Sequence, residues 1–313
     1  MSLKGKDLLG LYNLSKAEIH ETLKTAVTMK DILNKKVKEV PTLKGKTVIN
    51  LFYEPSTRTK SSFSLAAKTL GANVMSISKS DSSIVKGESL LDTAKTMEVM
   101  GADLVVVRHS APGAAKFLAD NIAASVINAG DGAHAHPTQA LLDIYSIQEK
   151  LGQVAGLKIL IIGDIAHSRV ARSNIWGLKK LGAQVAVAGP QTLIPPAIEK
   201  MGVKVYTDLD QALENVDVVN ILRIQLERQA SGLFPSLREY RKIYGINAKR
   251  LKKLGNKAII LHPGPINRGI EIESSVADSS QSVITEQVKN GVAVRMALLY
   301  LLAGRENKNE NFN

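Results

Sequence analysis

Short runs of apolar and β-branched residues alternate with stretches of helical periodicity along this chain, and that alternation constrains the fold more than any other feature. A strand, a helix and a second strand make a βαβ unit, whose crossover forces the two strands to run parallel. Residues 47–53 (TVINLFY), 73–78, 104–108 and 125–128 are expected to be strands of a first unit. Residues 158–164 (KILIIGD), 184–188, 217–223 (DVVNILR) and 257–261 are expected to be strands of a second. The expected fold class is α/β, with two domains, each a parallel β-sheet flanked by helices. The boundary is expected near Pro137, because proline suits a first helical turn and Leu141, Leu142 and Tyr145 follow at helical spacing. A last apolar helix near residues 282–302 carries Val288, Val292, Met296 and Leu299 on one stripe and is long enough to return to the first domain. The domains expected are therefore 1–136 joined by 288–313, and 137–287.

Composition removes several classes of function. With 313 residues, 44% of them hydrophobic, two ordinary cores can be built. The absence of cysteine excludes disulfide frameworks, thiolate metal sites and thiol nucleophiles. No stretch approaches the roughly 20 apolar residues of a membrane span, and the first residues lack the apolar core of a signal peptide. A soluble, cytoplasmic protein without membrane contact is expected. The formal charge of +12 invites a nucleic-acid reading, yet the basic residues are scattered and aromatics make up only 4%. A small anionic substrate suits that charge better than nucleic acid.

The segment from Phe52 to Phe63, FYEPSTRTKSSF, places Ser56, Thr57, Arg58 and Thr59 where a strand ends and a helix begins. Phe63, Ala66, Ala67 and Leu70 give the helix its period, and Gly71 its stop. Unpaired N–H groups at a helix N-terminus, together with hydroxyls and a guanidinium, favour a phosphate. The same residues also fit a simple N-cap with a solvated arginine. A Gly-rich stretch, NAGDGAHAHPTQ, sets His136 and Gln139 at i and i+3 on a helix start beyond a strand. A neutral histidine there can donate to a carbonyl oxygen, although capping or packing suits it equally.

Arginines mark three further strand ends: Arg108 in LVVVRH, Arg169 after KILIIGDIAHS, and Arg223 in DVVNILR with Gln225 two residues on. Any one of them fits a structural ion pair, but three together suit the anionic groups of substrates. Residues 79–89 (KSDSSIVKGES) form a polar loop in which Lys86 is either a ligand group or a solvated lysine. Residues 261–268 (LHPGPINR) form a proline-rich turn whose carbonyls can face an amide or amine. No G-x-G-x-x-G follows KILIIGD, which argues against a dinucleotide-binding oxidoreductase.

Taken together, the S-T-R-T turn, the H-P-T-Q helix start, L-R-I-Q-x-E-R and H-P-G-P resemble the carbamoyltransferase family over nearly the whole chain and in the family's order. Glu54, before S-T-R-T, is similar to the aspartate branch, whereas the ornithine branch carries lysine there together with S-M-G and H-C-L-P motifs that this chain lacks. The resemblance implies transfer of the carbamoyl group of carbamoyl phosphate to the amine of L-aspartate, within pyrimidine (UMP) synthesis. It implies that Ser56, Thr57, Arg58 and Thr59 hold the phosphate, joined by Ser82 and Lys86 from a neighbouring subunit of a homotrimer with shared active sites. Thr59, Arg108 and His136 would polarise the carbonyl oxygen, while Gln139 and the backbone at Pro263, Gly264 and Pro265 hold the carbamoyl amide. Arg169, Arg223, Gln225 and Lys86 would bind the aspartate carboxylates. Neither a metal nor an organic cofactor is implied, and higher assembly with regulatory or other pyrimidine-pathway chains stays open.

Overall fold

A computed structural model describes residues 3–78, 88–224 and 236–304. The chain divides into two compact units, Met1–Thr138 with Lys289–Asn313, and Gln139–Val288.

In the first unit, β1 (Thr47–Phe52), β2 (Asn73–Ser78), β3 (Leu104–His109) and β4 (Ser125–Asp131) form an all-parallel sheet in the order β2-β1-β3-β4. The inner strands are buried along nearly their whole length, because helices cover both faces of a parallel sheet; only the edge strand β2 stays partly open. Ile49, Leu51, Val105, Val107 and Val126 pack with Met97 and Leu118 of the crossover helices into one core. The helix Thr57–Thr69 ends as its sequence predicts: Gly71 takes φ +80°, its N–H bonds to Lys68 and the Ala72 N–H to Ala67, the paired closure that a glycine permits.

In the second unit, β5 (Lys158–Ile162), β6 (Gln184–Ala188), β7 (Lys204–Tyr206), β8 (Val218–Ile221) and β9 (Ile259–Leu261) form a parallel sheet in the order β7-β6-β5-β8-β9. Two parallel sheets flanked by helices are what the alternation of patterns predicts. Three details differ besides shifts of one to three residues at the ends of β1, β3, β4 and β5. The strand β7 went unpredicted, since its three half-open residues carry no alternation to detect. Strands β8 and β9 are shorter than expected, so Arg223 lies beyond its strand rather than closing it. The last helix spans Ile284–Ala303, and Val288 does not join the buried stripe: it is 57% exposed, whereas Met296 and Leu299 are fully buried. Among the described residues, no helix is long and apolar enough to cross a membrane.

Both sheets have a topological switch point, where consecutive crossovers leave in opposite directions and open a crevice at the strand C-termini. In the first sheet this lies between β1 and β3, in the second between β5 and β8.

Candidate active site

Residues Ser56–Thr59 follow β1 and Arg108 is the last residue but one of β3, so both flank the first switch point. Ser56 occupies the N-cap position of the Thr57–Thr69 helix, yet its hydroxyl makes no cap hydrogen bond. Ser15, Ser89, Ser168 and Ser236 all cap their own helices through the side chain. Ser56 is thus the N-cap by position but not through its hydroxyl. The first turn holds no acidic residue, and Arg58 lies in it, at the positive end of the helix dipole. Thr59 is buried and Arg58 exposed.

Arg108 is mostly buried and its guanidinium donates to Glu54 at 2.7 Å, so one of its roles is an ion pair. Glu54, expected to mark the aspartate branch, is thus paired with one of the arginines expected in the site. A lysine at the same place would repel it. His136 is buried, with its Nδ1 3.5 Å from the Thr138 hydroxyl. The loop before it is held by Asp131, also buried, whose carboxylate accepts from Asn128 Nδ2 (2.8 Å) and from the N–H groups of Ala135 (3.1 Å) and Gly113 (2.8 Å). Sequence reasoning missed Asp131. An aspartate between two glycines is a weak turn signal, and its reach to Gly113 is not legible locally.

In the second unit, Arg169 opens the helix Arg169–Lys180 beyond β5, and Arg223 follows β8, so they flank the second switch point. Again the first helical turn contains no acidic residue, and Arg169 is buried at the positive end. The turn at Pro263, Gly264 and Pro265 follows β9. His262 anchors it: its Nδ1 accepts from the Gly264 N–H at 2.8 Å, so the ring's proton is on Nε2, 3.2 Å from Glu271 Oε1. Gln139 is nearly buried and donates through Nε2 to Asp143 at 2.9 Å. Burial pushes the Asp143 carboxyl up to about 6, outweighing the opposite pull of hydrogen bonds from Asn174, Gln139, Gln287 and Asn220. Ser82, Lys86 and Gln225 lie outside the described residues.

Two parallel sheets, each presenting arginines and helix N-termini beside its switch point, define a class of α/β protein made for small anions. Comparison makes the class particular. Residues 6–149 match the family model of the aspartate/ornithine carbamoyltransferase carbamoyl-P binding domain, and residues 155–302 that of the Asp/Orn binding domain. The chain belongs to the aspartate/ornithine carbamoyltransferase family. It is 73% identical, over 99% of both chains, to the aspartate carbamoyltransferase catalytic subunit of Halothermothrix orenii. A crystal structure of Trypanosoma cruzi aspartate transcarbamoylase with carbamoyl phosphate and aspartate superposes with TM-score 0.86 at 31% identity, over 95% of this chain and 97% of that one. Ornithine carbamoyltransferase from Pyrococcus furiosus also gives TM-score 0.86, at 30% identity over 98% and 100% of the two chains. Backbone similarity therefore does not separate the two branches, whereas the 73% identity is to a chain named for aspartate.

Proposed function

We propose that this chain transfers the carbamoyl group of carbamoyl phosphate to the amine of L-aspartate, giving N-carbamoyl-L-aspartate and phosphate for pyrimidine (UMP) synthesis in the cytoplasm. The observation that carries this reading is the 73% identity to a catalytic subunit named for aspartate. The arginines beside both switch points support it, since the two substrates together bring a phosphate and two carboxylates.

Ser56, Thr57, Arg58 and Thr59 grip the phosphate at the uncapped helix N-terminus. Thr59, Arg108 and His136 donate to the carbonyl oxygen, which gains negative charge when the amine lone pair attacks the carbon. One well-placed donor of this kind contributes roughly 3 to 4 kcal/mol. Gln139 and the turn at Pro263, Gly264 and Pro265 receive the carbamoyl amide, and Arg169, Arg223, Gln225 and Lys86 receive the aspartate carboxylates. The carbon–oxygen bond to phosphate then breaks, its electron pair leaves with the phosphate, and the phosphate takes the amine proton. Catalysis is chiefly positioning and electrostatics. Purified chain supplied with carbamoyl phosphate and either amine is expected to form carbamoyl-aspartate. Product from ornithine but not aspartate would reverse the branch assignment.

The working assembly under this reading is a homotrimer in which Ser82 and Lys86 serve a neighbour's site. Chains bearing Lys86→Ala and chains bearing Arg58→Ala should each be inactive, yet regain roughly a quarter of wild-type activity when refolded together at equal ratio. The reason is that each hybrid trimer then contains one site with both residues intact. Confirmed hybrid trimers no more active than the separate variants would place Lys86 outside a shared site.

A further inference from the structure

Asp143 lies in the helix Pro137–Leu151 and has no exposed surface. Its hydrogen-bond partners among the described residues are four neutral side-chain amides. Oδ1 accepts from Gln139 Nε2 at 2.9 Å and Gln287 Nε2 at 2.7 Å; Oδ2 accepts from Asn174 Nδ2 at 2.8 Å and, more weakly, Asn220 Nδ2 at 3.4 Å. Burying a carboxylate among neutral groups is expensive, and an apolar side chain of similar size would cost the fold less. What the carboxylate does supply is polarity. It has acceptors only, so each amide around it must turn its NH2 inward and its oxygen outward.

Two of those amides lead to one ligand group. Gln139 is 8% exposed, and with its nitrogen committed to Asp143 it presents Oε1 as an acceptor. Gln287, held by the same Oδ1, turns its own Oε1 to the His262 N–H at 2.9 Å. That bond fixes the start of the turn at Pro263, Gly264 and Pro265, which the His262 ring ties down again through Gly264. Gln139 and the turn are the groups assigned above to the carbamoyl amide, whose NH2 is a donor and needs acceptors.

We propose that Asp143 is a positioning residue that makes the second unit selective for a carbamoyl rather than an acyl phosphate, by forcing Gln139 and, through Gln287, the His262–Pro265 turn to present oxygens. The inference rests on the functional reading given above. It separates two ligands of nearly equal shape: acetyl phosphate has a methyl group where carbamoyl phosphate has NH2. In Asp143→Asn, one arm of the side chain becomes a donor and meets an NH2 group. The amides on that side must flip or lose a partner.

The test is calorimetric binding of carbamoyl phosphate, acetyl phosphate and inorganic phosphate to wild type, Asp143→Asn and Asn174→Ala. Asp143→Asn should weaken carbamoyl phosphate on the order of 10- to 100-fold, leaving acetyl phosphate and phosphate nearly unchanged. Asn174→Ala loosens the same cluster on its Oδ2 side and should keep the wild-type preference for carbamoyl over acetyl phosphate. A preference that survives in Asp143→Asn, or a parallel loss of all three ligands, overturns the inference. Should Asp143→Asn fail to fold, Gln287→Met removes the link to the turn alone, and an unaltered preference there overturns the inference equally. A wild-type chain without any preference for carbamoyl phosphate would remove the functional reading, and this inference with it.

Discussion

Arg58→Ala is expected to lower kcat/KM for carbamoyl phosphate by about 10²- to 10³-fold, with a thermal midpoint close to that of wild type. Both halves follow from where the residue lies. Arg58 is exposed in the first turn of the helix Thr57–Thr69. Truncating an exposed side chain removes little packing, so the stability of the fold should stay near that of wild type. A phosphate held at that helix N-terminus, as proposed, would accept two parallel charge-assisted hydrogen bonds from the guanidinium. Steady-state kinetics at varied carbamoyl phosphate, paired with a melting curve, checks both. Wild-type efficiency, or a clear loss of stability, would return Arg58 to an ordinary surface role.

Arg223→Ala should leave carbamoyl phosphate binding nearly intact and weaken aspartate by roughly 2 to 5 kcal/mol, which is about 30- to 5000-fold. The residue stands just beyond β8, beside the second switch point, while the turn at Ser56–Thr59, proposed to grip the phosphate, belongs to the first unit. Arg223→Lys should not restore affinity, because a point charge does not reproduce the planar fork that matches a carboxylate. Isothermal titration with each substrate separates the cases. Equal weakening of both would move Arg223 out of the aspartate subsite.

Much of this was legible because a parallel sheet writes itself into sequence as buried apolar runs, each ending where a ligand group can be placed. The runs TVINLF and KILII needed no distant information. Arg58, Arg108 and Arg223 could be singled out because they interrupt or follow such runs. What escaped depends on pairs far apart in the chain. Glu54 was noted only as a branch marker, since its bond to Arg108 spans 54 positions. Asp143 sits four residues after Gln139, a visible helical spacing, but its partners Asn174, Asn220 and Gln287 lie 31, 77 and 144 positions away. The error at Val288 has a different origin: helical periodicity identifies a stripe but not how far along the helix that stripe remains covered.

The first unit is assembled from two separated stretches of chain, and this sets an order of events during synthesis. Its four strands and their crossover helices emerge early, yet its last helical segment comes only after the second unit is complete. That segment is not trimming. Ala293, Val294, Met296, Ala297, Leu298 and Leu299 are fully buried, and Arg295 lies over the Phe63 ring at 5.2 Å. At about 5 to 20 residues per second, the intervening unit takes roughly 8 to 30 s to translate. For that interval the nascent first unit lacks part of its apolar core, while the continuous second unit can close as soon as it leaves the ribosome. The length of the second unit thus sets how long the first is exposed to aggregation or to chaperones.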